Sequence, residues 1–346
     1  MRDFAEPLPP IPGRVGVVVA QLGGPRDLGE VRGFIKGIFT DPDAVPIRGG
    51  SAVRKTVGSV IAASRAPVVK KYYRLIGSGS PILPITQSQA YLVGEELRSR
   101  GHDVVTAVAM RNGRPDTRDA VELLQRLRAE HLVMLPLYPQ FTFATVGSAE
   151  KELRRVLGRV SQYEPVVLRS WHDHPSYLDL QARLLTETIE QLPEEERDGV
   201  AVLVSAHGLP VKVVDKGDPY PEETERTFTE VIKRVPYNVD ARLGYQSRTG
   251  PIKWIGPGTE KIIDEFAAAG HKTIVMWAVT FVSDHIETLY ETDILFRDHA
   301  IKAGIETYLR VPVFNDMPEV GPMLADVIEP FVVDAGSGTG NTPIHT

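Results

Sequence analysis

Apolar positions along the chain fall into short runs that end in Gly, Pro or polar residues: 15–22, 104–110, 132–138, 166–170, 200–206, 241–245, 273–281 and 307–313. Their length and β-branched content suit strands buried on both faces of a parallel sheet. Between them the apolar period lengthens to that of a helix. The segment 117–130 places Ala120, Leu123, Leu124 and Leu127 on one face; 148–157, 177–192 and 259–269 behave alike, the last stopped by Gly270. Strands alternating with helices predict an α/β fold with right-handed crossovers. The alternation runs twice, one strand set ending near Tyr138 and another beginning near Val166. The expected architecture is two Rossmann-like lobes with parallel sheets, residues 14–162 and 163–333, and an active-site cleft between them. Residues 334–346, rich in Gly, Ser and Thr, are expected to form a disordered tail.

Composition narrows the chemistry. The 346 residues include no Cys, which excludes disulfides, a thiolate nucleophile and any Cys-held zinc or iron–sulfur cluster. Metal chemistry must then use His, carboxylates and other oxygens. The net charge is −6, from 39 basic and 45 acidic residues, which argues against a nucleic-acid partner. One window breaks the balance. Residues 44–94 contain no acid and seven basic residues (Arg48, Arg54, Lys55, Arg65, Lys70, Lys71 and Arg74), leaving the rest of the chain at net −13. A basic stretch interleaved with apolar residues asks for an anionic partner. The N-terminus has no apolar core of a signal peptide, and no apolar run reaches the roughly 18 residues of a membrane span. Cytoplasmic residence is the expectation, with monomer as the default.

Candidate chemistry collects at strand ends. The run 200–206 leads into His207, Gly208 and Pro210. A His there can exchange a proton near neutral pH, or simply satisfy a turn carbonyl. The run 273–281 leads into FVSDHIETLYETD, where Ser283 or Asp284 is expected to cap a helix. On that helix Glu287 and Glu291 share a face, with Asp284 and His285 at its first turn and no basic residue before Arg297. Such a site either handles a cation or is a solvated acidic face. Trp254, in a Gly/Pro-rich loop, either stacks on a flat ligand or anchors the local core. Gly23-Gly24-Pro25 lacks both phosphate-loop spacings, so nucleotide binding is rejected. Ser148 is expected to cap a helix after the strand that delivers Tyr138, Gln140 and Thr142.

These segments, in this order, resemble ferrochelatase, the family that inserts ferrous iron into a porphyrin. The carrying motifs are LGGP at 22–25, IGSGSPI at 76–82, LPLYPQ at 135–140, SAHGLP at 205–210, KGDPYPEE at 216–223, YQSRTGPIKW at 245–254, SDHIETLYE at 283–291 and NDMPE at 315–319. The match spans about residues 14–330. The resemblance implies two Rossmann-like lobes sharing a porphyrin cleft, with 44–94 as its lip. It implies His207 and Glu287 as catalytic residues facing each other, and His207, Glu287 and Glu291 as groups meeting the metal. It places Leu22, Arg111, Tyr138, Trp254 and Phe281 against the porphyrin, with Ser283, Asp284 and His285 in support.

The chain departs from the family pattern at three places. Asn112 stands where many relatives have Tyr, Leu295 stands where a third acid often continues the carboxylate line, and there is no Cys for a [2Fe–2S] cluster. Iron is then a substrate, and no cofactor is expected. Coproporphyrin-using relatives carry Tyr where this chain has Leu22. Leu22 and the apolar, basic stretch 53–76 resemble the protoporphyrin branch, so protoporphyrin IX and Fe2+ are the expected substrates, with coproporphyrin III as the alternative. The same stretch is expected to meet an anionic membrane peripherally, or else to be a solvated basic helix. A non-catalytic porphyrin or haem carrier is the reading from another class, since it would need the aromatic residues but not both His207 and Glu287.

Overall fold

The computed structural model describes residues 10–42, 50–160, 164–248, 250 and 252–336. The start of the acid-free window with Arg48, the division at 162/163 and the tail beyond 336 lie outside the described residues. The first sheet is fed by β1 (Val15–Gln21), α1 (Val31–Thr40), α2 (Ser51–Leu75), α3 (Ile82–Ser99), β2 (Val104–Met110), α4 (Thr117–Arg126), β3 (His131–Pro136), a π-helix (Phe143–Gly147), α5 (Ser148–Val160) and β4 (Val166–Val167). The second follows with α6 (Pro175–Ile189), α7 (Glu194–Arg197), β5 (Ala201–His207), α8 (Val211–Val214), α9 (Tyr220–Ile232), β6 (Asp240–Gln246), α10 (Thr259–Ala268), β7 (Thr273–Ala278), a second π-helix (Glu287–Phe296), α11 (Arg297–Lys302), β8 (Thr307–Arg310) and α12 (Val320–Gly336). The sheets are parallel, four-stranded and identically ordered, β2-β1-β3-β4 and β6-β5-β7-β8.

Each apolar run of the sequence is a strand because both faces of each sheet are covered. β1 is buried at every position. One buried cluster runs from the first sheet through Trp171, Tyr177 and α12 to the second sheet. Separate clusters cover the outer faces, under α4 and α5 on one side and α10 and α11 on the other. A fourth, smaller cluster joins α1 to α2.

Four expectations change. Val166 pairs with Val133, so β4 completes the first sheet and the second strand set opens at β5. α4 stops at Arg126 because Arg128 turns left-handed at φ 63°. β7 ends at Ala278, which frees 279–286 as a loop leading to the second π-helix. α12 continues to Gly336, so residues 334–336 are helical. The stretch 53–76 lies in helix α2 up to Leu75, as one of its two readings held, but no one-sided apolar period marks it, for a physical reason. Gly58, Ala62, Ala66 and Tyr73 face α1, while Val53, Val57, Val60, Val68 and Leu75 recur at helical spacing on the opposite, exposed side. Two apolar stripes cancel the one-sided pattern that marks an amphipathic helix.

Candidate functional site

The second sheet brings two strand ends together. His207 ends β5 and Gln246 ends β6, in register with it. Gly208 lets the chains approach this closely, since a Cβ there would lie 2.8 Å from the Gln246 carbonyl oxygen. The loop after β7 then delivers Glu287 on the second π-helix. His207 Nδ1 lies 2.7 Å from Glu287 Oε2. The Ser247 hydroxyl stands 2.9 Å from that same oxygen and 2.7 Å from Glu291 Oε2. Gln246 Nε2 donates to Glu291 Oε2 at 3.1 Å, and its orientation is set by Ser205, which donates to Oε1 at 2.8 Å.

These contacts split the two carboxylates. Burial alone would raise Glu287, but the charge and hydrogen bond of His207 override it and hold the carboxyl at about 2. Burial and the neighbouring Glu287 charge push Glu291 up to about 7. Burial disfavours the charged form of His207, yet the Glu287 charge wins and raises it. Among the described residues no three His, Asp or Glu side chains form a group that could hold a metal ion. His207, Glu287 and Glu291 are therefore not a ready-made cage: His207 is bonded to Glu287, and Glu291 to Gln246 and Ser247.

The supporting residues hold the π-helix rather than cap it. Ile286 occupies its N-cap position without a side-chain cap bond. Ser283 donates instead to Gln89 Oε1 of α3, at 3.1 Å, and so ties the two lobes. Asp284 accepts from the Thr288 hydroxyl at 2.7 Å, from Asn315 Nδ2 at 2.8 Å and from Arg310 Nη1 at 3.2 Å. Arg310 also pairs with Asp293 at 2.6 Å. The acidic helix therefore has a cation, supplied from β8. His285 stacks edge-on to Phe281 at 4.7 Å, and burial lowers its basicity.

Leu22, Arg111 and Tyr138 follow β1, β2 and β3 at their carboxyl ends. The buried Tyr138 hydroxyl lies beside the Leu22 backbone and the Arg111 charge. Arg111 already has a partner: Nη2 lies 2.8 Å from Asp41 Oδ2, and Nε donates to the Ser148 hydroxyl at 2.8 Å. Ser148 in turn donates to Asp41 at 2.6 Å, so it closes this cluster and is not a cap. No hydrogen bond or ion pair joins Leu22, Arg111 or Tyr138 to His207 or Glu287 among the described residues. Trp254 bridges to Pro210 and packs beside Gly208, next to His207.

Sequence reasoning missed several partners, although their motifs stood out. Gly23, at φ 87°, packs on Asn112, and Gly79 would place a Cβ 2.2 Å from the Arg26 carbonyl oxygen. LGGP and IGSGSPI are thus two turns packed on each other. KGDPYPEE supplies Asp218, which accepts from Thr142 Oγ1 and Phe143 N, both at 2.8 Å, and so anchors the first π-helix to the second lobe. NDMPE supplies Asn315. Tyr73 of α2 is raised chiefly by burial and further by the nearby Glu287 charge, which places α2 at the edge of the site.

The comparisons identify the family. The Ferrochelatase family profile matches residues 14–331. The chain is 36% identical over 319 residues to a ferrochelatase of Trichodesmium erythraeum, covering 91% of this chain and 82% of that one. A ferrochelatase of Nostoc sp. strain PCC 7120 is 38% identical over 322 residues, with the same two coverages, 91% and 82%. The solved structure of SirB from Bacillus subtilis with Fe3+ is similar at TM-score 0.52 and 11% identity, covering 94% of this chain and 97% of SirB, a likeness of fold. The chain belongs to the ferrochelatase family, the metal chelatases of haem biosynthesis.

Proposed function

We propose that the protein inserts Fe2+ into protoporphyrin IX and releases two protons, with His207 and Glu287 as the catalytic pair. The observation that carries this reading is their 2.7 Å contact at the carboxyl end of β5. Insertion requires removal of two pyrrole protons and stripping of water from the cation. The Glu287 charge makes His207 a stronger base than a free imidazole, which favours uptake of a pyrrole proton. Glu287 stays ionised, which suits a group that draws in the cation. Glu291, at about 7, is poised to exchange a further proton. Trp254 and Phe281 supply faces for the macrocycle, while Arg111 and Tyr138 line the first-lobe side. Leu22 in place of Tyr supports protoporphyrin over coproporphyrin.

The test supplies anaerobic Fe2+ with protoporphyrin IX or coproporphyrin III and follows the loss of porphyrin fluorescence. His207→Ala and Glu287→Gln are each expected to slow metallation by at least about 100-fold. Preference for coproporphyrin III would overturn the substrate, and unchanged rates in both variants would overturn the pair.

The same reading makes α2 a peripheral membrane contact. The exposed stripe of Val53, Val57, Val60, Val68 and Leu75 is bordered by Arg54, Arg65, Lys70 and Arg74 and carries Lys71, with no acid on the helix. Bordering cations can reach lipid phosphates while the valines enter the interface. No described helix is long and apolar enough to cross a membrane. Each basic residue near an anionic leaflet contributes about 1 kcal/mol, so co-sedimentation with anionic vesicles should be strong at low salt and lost at high salt. Absence of binding at low salt would exclude this contact.

A further inference from the structure

The second π-helix carries Glu287 and Glu291, yet π-helices are rare and usually confined to a single turn. This one spans Glu287–Phe296 and is braced from several sides. From β6, Gln246 donates to the Glu287 carbonyl oxygen at 3.3 Å. From β8, Tyr308 donates to the Thr292 carbonyl oxygen at 2.9 Å, and Arg310 holds Asp293. These braces belong to the second lobe. The first lobe reaches the helix through α2. Tyr72 and Tyr290 lie nearly parallel, with ring centroids 4.1 Å apart and 16° between planes. One residue before the π-helix, Ile286 packs on the α1–α2 cluster that contains Tyr73.

Tyr290 sits between the two carboxylates in sequence, three residues after Glu287 and one before Glu291. Its ring points to α2, while Glu287 and Glu291 point to His207, Gln246 and Ser247. A shift of α2 against the second lobe is therefore felt at Tyr290, on the turn that sets both carboxylates. We propose that the Tyr72–Tyr290 stack is a clasp between the lobes that positions the π-helix carboxylates. Tyr72 and Tyr290 are positioning residues: they touch Glu287 and Glu291 through the helix, not the reacting atoms. The inference rests on the reading that Glu287 takes part in metal insertion. It also links the exposed face of α2 to the reaction, because the same helix carries Tyr72 on its inner border.

The test measures kcat, porphyrin KM and thermal melting for Tyr72→Ala, Tyr290→Ala, the double variant, Tyr72→Phe and Tyr290→Phe, with Glu287→Gln as a control. An aromatic pair contributes enough to change a rate roughly two- to tenfold. Each Ala variant should lower kcat by that factor and leave porphyrin KM within about twofold, since the proposed porphyrin contacts Trp254, Phe281, Arg111 and Tyr138 are untouched. The double variant should be no slower than either single one, because both remove one interaction. The Phe variants keep the rings and should stay within about twofold of wild type. The clasp is overturned if the Ala losses multiply, if porphyrin KM rises with kcat unchanged, or if Phe is as damaging as Ala. A melting temperature that falls equally in the Ala and Phe variants would also overturn it. Should Glu287→Gln leave kcat unchanged, the reading of Glu287 fails, and the clasp with it. Should Glu287→Gln abolish turnover while the Ala variants behave as wild type, the clasp alone fails.

Discussion

The two lobes repeat one topology and end in opposite chemistry. In each, the first strand lies between the second and the third, and a π-helix follows the third strand. In each, the residues just past the central strands converge, as expected where the strand order reverses in an open α/β sheet. In the first lobe the carboxylate at this point, Asp41, is buried and held by Arg111 and Ser148. In the second, Glu287 and Glu291 face His207 with the neutral donors Ser247 and Gln246 between and beside them. Arg310, from β8, is bonded to Asp284 and Asp293. Each lobe thus carries a carboxylate cluster near its strand ends. In the first the carboxylate is paired with a guanidinium; in the second, Glu287 is paired with an imidazole while Glu291 meets neutral donors and is poised to exchange a proton.

The sharpest way to break this contrast is to remove one carboxylate from each lobe. Asp41→Ala leaves the Arg111 guanidinium, whose side chain is 21% exposed, without its anionic partner. Loss of one member of a largely buried pair should cost about 2–4 kcal/mol, read as a drop in urea midpoint. A midpoint equal to that of wild type would mean that Asp41 does not quiet the first lobe.

The opposite sign is expected in the second lobe. Glu291 ordinarily titrates at 4.5 and stands at about 7 in the folded chain, through burial and the Glu287 charge. Its folded value lies above its unfolded one, so stability is complete below about pH 4.5 and declines as the pH rises through 7. Glu291→Gln fixes the neutral form. It should change melting little at pH 5 and raise stability at pH 8 by on the order of 1–3 kcal/mol. An equal shift at both values would show that Glu291 carries no such strain.

Much of this contrast was hidden in the sequence, and the reason is the range of the contacts. The central strands β1, β3, β5 and β7 were legible because strands covered on both faces leave unbroken apolar runs, and the less buried β4, β6 and β8 were legible as shorter apolar stretches. The strand end at His207 and the shared face of Glu287 and Glu291 were legible because both are local. Their contact spans 80 residues of sequence, and no periodicity encodes it. Arg310, which relieves Asp284 and Asp293, arrives from β8, so the acidic segment read as uncompensated. The pairing of Arg111 with Asp41 was hidden for the same reason, since Asp41 lies far upstream. The expected cap at Ser283 or Asp284 failed because the π-helix begins at Glu287 and the side chains were taken up by Gln89, Thr288, Asn315 and Arg310. α2 was legible as a basic, apolar stretch but not by a helical period, because it is apolar on two faces, one for α1 and one exposed.

The smallest expected effect concerns how the active lobe keeps its helix in place. Tyr308, buried on β8, donates its hydroxyl to the Thr292 carbonyl oxygen at 2.9 Å. Tyr308→Phe keeps the ring and removes that bond, leaving a buried carbonyl with one donor fewer. The cost should be about 1 kcal/mol, a loss on the scale of a single internal hydrogen bond. Because Thr292 lies one turn beyond Glu287, next to Glu291, the change should loosen the far end of the helix more than the end that carries Glu287. Hydrogen exchange resolves the two ends: protection should fall for amides around Thr292–Phe296 and hold around Leu289. Uniform loss across the helix would mean that it opens as one unit. The difference between the lobes would then rest on the stability of this helix as a whole as well as on the charges at its first turn.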